Sequence, residues 1–291
     1  MRRPRLAVLN ASHADANTTR NFRRELDASL AEFDVTAGRV PTDYEYDGVV
    51  ITGSRASVYW DEPWIDGTKE WVAEAVERGL PCLGICWGHQ LLADVCGGEV
   101  RDMGAYEIGY REVERTTDDS QLFDGVGDRF LAFTTHSDEV AELPPGARPL
   151  ARNDYSNHGF RKGRVFGVQF HPEYDRKTAR ELTLQKDLDD ERRERVLAGI
   201  TEENHRRAGE AKLIFDNFLE FVEAVANRGN VENSSDVAAD SEASSVAAVA
   251  SPDGSVASPD GSVASPDGSV DGPDETAEPP VADGTGATEC E

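Results

Sequence analysis

An α/β/α sandwich around a central, mostly parallel sheet is the fold class this 291-residue sequence predicts. Three observations lead to it. Short apolar runs alternate with amphipathic runs along the first hundred residues, the pattern of strands joined by covering helices. An apolar run ending at Ile85 gives way at once to a run of helical period, with Cys86 at the junction between Gly84 and Gly88. Another apolar run, 165–170, closes on His171, Pro172 and Glu173.

Taken in order, RLAVLNA (5–11) predicts a strand, TTRNFRRELDASLAEF (18–33) a helix, YDGVVITG (46–53) a strand and IDGTKEWVAEAVERG (65–79) a helix. Cys82, Leu83 and Ile85 form the next strand, and Leu91, Leu92 and Val95 recur at the spacing of the next helix. Parallel sheets bind ligands at the carboxyl ends of their strands. Both ITGS (51–54) and GIC (84–86) lie at such ends, so they are expected to face one crevice. The middle of the chain is strand-like, with short patterned runs near GYREVE, RFLAFTTHS, ARPLARN and VFGVQF, and predicts a mixed sheet there. Beyond Glu173 the sequence turns helical. Leu213, Ile214, Phe215, Phe218, Leu219 and Val222 form an apolar stripe for a final helix, while KDLDDERRERV (186–196) reads as a solvated helical face.

Composition divides the chain at residue 229. Residues 230–291 contain no Lys, Arg or aromatic residue, carry 14 of the 56 acidic residues, and repeat SPDGSVA from Ser251, Ser258 and Ser265, the third copy ending in Asp271. Such a segment lacks the apolar content to offset its ordering entropy, and Pro and Gly in every copy exclude a coiled coil, so a disordered acidic tail is expected. The body, 1–229, has 42 acids against 30 bases. That balance argues against nucleic acid as a partner and fits a surface adapted to a salt-rich cytoplasm. No apolar run reaches a signal-peptide core or a membrane span. Four scattered cysteines, at 82, 86, 96 and 290, suit the cytoplasm rather than a disulfide framework. Cys82 and Cys86 lack the second ligand pair that zinc needs, so no metal is expected.

Cysteine in an apolar segment is by default core packing, which suits Cys82 and Cys96. Cys86 instead falls on a strand-to-helix turn where flanking glycines permit a sharp bend and the helix dipole favours a thiolate. A cysteine nucleophile needs a base, and the base an orienting group. His171, closing a strand two residues before Glu173, offers both; His89, three residues past Cys86, is the rival base but has no adjacent carboxylate. Gln90 shares the helix face of Cys86 and could bond a substrate amide or carboxyl group.

GICWGHQ followed some eighty residues later by QFHPE resembles the class I glutamine amidotransferases, cysteine hydrolase domains that take ammonia from glutamine. The resemblance covers about residues 5–225 and implies a Rossmann/flavodoxin-like α/β/α sandwich, with Cys86 as nucleophile, His171 as base and Glu173 as orienting acid. It implies an oxyanion hole at Gly53, Ser54 and Trp87, and substrate contacts from Gln90 and from THSDEV through His136, Ser137 and Asp138, the last paired with the substrate ammonium. No cofactor is implied. The turn Thr52-Gly53-Ser54 departs from the family's usual Gly-Gly or Pro-Gly-Pro-Gly, and neither an ATP pyrophosphatase loop nor a Gly-x4-Gly-Lys-Ser/Thr loop is found. A separate synthetase subunit receiving ammonia is therefore one expected partner. The stretch ITGSRASVYWDEPWI is also similar to stand-alone, GMP-synthetase-like members, some of them γ-glutamyl peptidases, and a non-catalytic binding protein on the same fold is the third reading. RASVYWDEPW (55–64) is expected either to wall the leaving-group side or to be an ordinary loop packing its aromatics on the body.

Overall fold

The computed structural model describes residues 2–117 and 121–228, all within one unit, Met1–Ser241. Nine strands form one sheet: β1 (Arg5–Asn10), β2 (Ser29–Asp34), β3 (Gly48–Ile51), β4 (Cys82–Ile85), β5 (Glu99–Arg115), β6 (Arg129–Glu142), β7 (Arg148–Arg152), β8 (Asn157–Lys162) and β9 (Val165–Val168), in the order β2-β1-β3-β4-β9-β8-β7-β5-β6. The first five in that order are parallel, and the remaining four join them antiparallel. The sandwich is the expected α/β/α one with a mixed second half. The expected tail lies outside the described residues.

Strand alternation sorts the core into two layers. On β1, Leu6 and Val8 face α1 (Ala16–Glu25) and the final helix α7 (213–228), through Phe22, Phe215 and Phe218. Ala7 and Leu9 face the other side, where α2 (Pro63–Glu77) and α3 (Trp87–Val95) bring Ile65, Val72, Leu91 and Leu92. The stripe expected from Leu213 to Val222 is the buried face of α7. α4 (Arg176–Gln185), α5 (Asp190–Gly199) and α6 (Glu202–Ala208) follow β9, and α5 has no buried residue, as its charge pattern predicts.

One element needs correction. The single helix expected over 18–33 ends at Glu25, and its second half is β2. Leu26, Leu30 and Phe33 fall at helical spacing, but Leu26 is extended (φ −101°, ψ 104°) and 29–34 pair parallel with β1 from Arg5↔Ser29 to Asn10↔Asp34. An edge strand half-covered on both faces carries no clean period of two, so the ladder, not the periodicity, decided its form.

Candidate active site

Cys86 sits between β4 and α3 at φ 55°, ψ −104°, a left-side conformation that costs a residue with a Cβ roughly 1–3 kcal/mol and persists only where its surroundings enforce it. Its neighbours do so by close approach. A Cβ on Gly84 would lie 2.2 Å from the Gly88 carbonyl oxygen, and one on Gly88 would lie 2.4 Å from that of Ile51. Only glycines let α3 start this tightly against β3 and β4. The sulfur, 4% exposed as a residue, lies 3.9 Å from the Thr135 carbonyl oxygen.

His171 arrives from the end of β9, its N–H donating to the Phe133 carbonyl at 2.8 Å. Its Nδ1 is 2.8 Å from Glu173 Oε1, and its buried Nε2 has no hydrogen-bond partner among the described residues. Burial disfavours the charged ring, but Glu173 and Cys86 outweigh it and raise the imidazole to about 10. Tyr174 stacks on this ring at 4.1 Å between centroids. Gly53 stands directly over the pair: a Cβ there would be 2.9 Å from His171 Cε1 and 3.7 Å from Cys86 Cβ. Thr52 locks that turn by accepting from the Ala11 N–H at 2.9 Å and donating to the Gly53 carbonyl at 3.1 Å. Cys86, His171, Glu173, Gly53 and Ser54 thus share one crevice, which opens beside His171 as a cleft also lined by Ser12, Thr18, Arg55, Thr135 and Lys186. His89 does not line that cleft: its ring packs on Phe160 (5.1 Å) and against Gly167, and burial lowers it to about 3. Cys82 Sγ is turned to the Leu80 carbonyl, and burial pushes its thiol up.

The remaining expected residues gather at the other end. Gln90 Nε2 donates to the Asp138 carbonyl and to Gln169 Oε1, both at 3.0 Å. Asp138 is 6% exposed, and its Oδ1 accepts from the Tyr59 hydroxyl at 3.1 Å. Tyr59 therefore serves the Asp138 end, not the leaving-group side expected for its loop; Arg55, four residues earlier, lines the His171 cleft. Trp64 packs on the buried Trp87 indole at 5.3 Å. Ser137 is half-buried on β6. His136 has both ring nitrogens engaged, with Glu107 at 2.6 Å and the Asp138 carbonyl at 2.9 Å, so it has no polar atom left for a ligand. Among the described residues, Glu107, His136 and His158 form a group that could hold a metal ion. Their atoms are already joined as hydrogen-bond donors and acceptor, at 2.6 and 3.1 Å.

Sequence reasoning missed Tyr174, Glu107 and His158. Tyr174 was legible in principle as the residue after His-Pro-Glu. Glu107 was not, because nothing in the sequence separates it from the outward-facing Glu112 and Glu114 of the same strand.

A family model described as glutamine amidotransferase class-I matches residues 13–190. The chain belongs to the class I glutamine amidotransferase family. The family's members among curated proteins include a GMP synthase (glutamine-hydrolysing) of Aeropyrum pernix, 43% identical over 128 residues, and one of Helicobacter pylori strain HPAG1, 38% identical over 127 residues. Each match takes in 43% of this chain and 24% of the relative, so the chain matches about a quarter of the length of those synthases. A glutamine amidotransferase from Thermotoga maritima superposes with a TM-score of 0.65 at 26% identity, covering 76% of this chain and all of the other. A glutamine amidotransferase from Methylobacillus flagellatus shares the fold, with a TM-score of 0.62 at 20% identity over 76% of this chain and 95% of that one. No described helix is long and apolar enough to cross a membrane.

Proposed function

We propose that the chain hydrolyses the side-chain amide of glutamine, with Cys86 as nucleophile, His171 as acid and base and Glu173 as the group that orients and charges His171. The observation that carries this reading is a cysteine strained at φ 55° on a glycine-walled turn, beside a histidine whose other nitrogen is 2.8 Å from a buried carboxylate. The Cys86 sulfur adds its electron pair to the amide carbon, and the carbonyl oxygen takes up the displaced pair against N–H groups of the Gly53–Ser54 turn and of Trp87 at the start of α3. The oxyanion collapses, the C–N bond breaks, and the His171 imidazolium gives its proton to the departing nitrogen, releasing ammonia. Neutral His171 then takes a proton from water as it attacks the γ-glutamyl thioester. Glutamate leaves, and the sulfur and imidazolium are restored.

Gln90 and Asp138 hold the amino-acid end, Asp138 receiving the ammonium. The cytoplasm is the proposed compartment. No cofactor or metal enters these steps, and the proposed acceptor of the ammonia is a separate synthetase subunit, consistent with the GMP synthases that match this region.

A second reading, a γ-glutamyl peptidase, is favoured by one feature. Ammonia needs no space beyond the triad, yet the cleft beside His171 extends to Arg55, Lys186 and Asp15, charges of both signs suited to the polar ends of a peptide leaving group. One comparison tests both: kcat/KM of the isolated chain for glutamine and for γ-glutamylcysteine, with Cys86→Ala as control. Ammonia release lost in Cys86→Ala is expected. A dipeptide preference above ~10-fold, about 1.4 kcal/mol in transition-state binding, would establish the peptidase instead. Undiminished turnover by Cys86→Ala would overturn both.

A further inference from the structure

The β5–β6 ladder slips beside the Asp138 end of the site. Asp102 faces Asp138 and Glu107 faces His136, so 103–106 of β5 stand opposite Ser137 alone. A slip of this kind takes backbone groups out of the ladder and re-aims the strand. At the edge of the slip the Asp138 carbonyl is held by two side chains, Gln90 Nε2 at 3.0 Å and His136 Nδ1 at 2.9 Å. His136 Nε2 is in turn 2.6 Å from Glu107 Oε2, which also takes His158 Nε2 at 3.1 Å, and Asn153 Nδ2 donates to Glu107 Oε1 at 2.6 Å. Glu107, His136 and His158 are all buried. Each ring nitrogen of His136 faces an oxygen, one of a carbonyl and one of a carboxylate, so its ring cannot turn without breaking a contact. Burial opposes ionisation of Glu107, but the hydrogen bonds from His136 and His158 prevail and hold its carboxyl well below the usual carboxylate range.

We infer that Glu107, acting through His136, is a positioning residue for the amino-acid end of the substrate: the pair sets the Asp138 backbone at the edge of the slip, so that the Asp138 carboxylate meets the ammonium of a glutamyl group. The inference rests on the proposed glutamine chemistry. It explains why His136 has no free polar atom while its neighbour Asp138 has an acceptor oxygen to spare. It also separates the site into two parts, since neither Glu107 nor His136 contacts Cys86, His171 or Glu173 in the network.

The test uses two substitutions of one residue. The amide nitrogen of Asn can stand near the place of His Nδ1, and that of Gln near the place of Nε2. His136→Asn can therefore keep the bond to the Asp138 carbonyl, whereas His136→Gln keeps only the bond to Glu107. In the full chain, His136→Gln is expected to raise KM for glutamine by about tenfold or more with kcat within about threefold, and His136→Asn to recover most of the lost affinity. Inactivation by a γ-diazoketone analogue of glutamine should slow in His136→Gln by a similar factor. Alkylation of Cys86 by iodoacetamide, which has no amino-acid end, should not change.

Equal damage by Asn and Gln, or a parallel fall in iodoacetamide reactivity, would overturn the inference in favour of simple core packing. If neither variant folds, Asn153→Ala at the half-buried edge of the network gives the same readout: a higher KM at constant kcat supports the inference, and an unchanged KM overturns it. Failure of the glutamine chemistry itself is visible in the wild-type arm alone, as no glutamine turnover and no diazoketone inactivation, and the inference falls with it.

Discussion

His171 just past β9 and His89 in the first turn of α3 are both buried, 4% and 0% exposed, yet their pKa values are shifted in opposite directions. Burial disfavours an imidazolium, and His89, against Phe160 and Gly167, follows it: burial first, then His158 and His136, lower it to about 3. His171 suffers the same burial but has Glu173 at 2.8 Å and Cys86 beside it, and it is raised to about 10. The comparison teaches that an enclosed site does not make a histidine basic. The anion placed next to it does, because Coulomb interaction strengthens in the same low-dielectric surroundings that penalise an unpaired charge. Cys82 and Cys86 repeat the contrast in sulfur: one is a buried thiol turned to a carbonyl, the other stands on a strained turn beside the imidazole.

The largest break in this comparison is removal of the charged partner. His171→Ala is expected to lower kcat for glutamine by about 10²- to 10⁴-fold, the usual consequence of losing a general acid–base group. Steady-state kinetics on the folded variant checks it, and a loss under tenfold would mean that another group moves the proton.

Glu173→Gln keeps the shape and deletes the anion. Wild-type His171 is an imidazolium below its raised pKa and loses its proton as pH rises through about 10, so activity that depends on protonating the leaving nitrogen should fall on the alkaline side there. In Glu173→Gln that alkaline limb should move to lower pH, with turnover at neutral pH down by roughly tenfold or more. A pH–rate profile with an unmoved limb would show that Glu173 does not set the charge of His171.

The smallest expected effect on chemistry sharpens the comparison from the other side. His89→Ala should leave kcat/KM within a few-fold in the protein that remains folded, while lowering stability by about 2–4 kcal/mol through the cavity left between Phe160 and Gly167. Paired measurements of melting and turnover decide it; a turnover loss as large as that of His171→Ala would reverse the assignment of the two histidines.

The sequence by itself determined what is local. Gly84 and Gly88 mark the turn around Cys86 because a Cβ at either would meet a carbonyl oxygen at 2.2 or 2.4 Å, and that requirement is written in residue type. His171 and Glu173 are two residues apart, so their pairing was legible from one strand end and a proline. That β1, β3, β4 and β9 are strands, and that α7 carries an apolar stripe, followed from period and length. What only the tertiary structure decided depends on partners far along the chain. Residues 29–34 became a strand because β1 offered a ladder, against a spacing that also fits a helix. His136 and His158 turned to Glu107, 29 and 51 residues away, and Tyr59 turned to Asp138, 79 residues away. Those contacts hang on the slip between β5 and β6, where a shift of one residue sends every side chain to the opposite face. Register is a property of two strands at once, and no single stretch of sequence contains it.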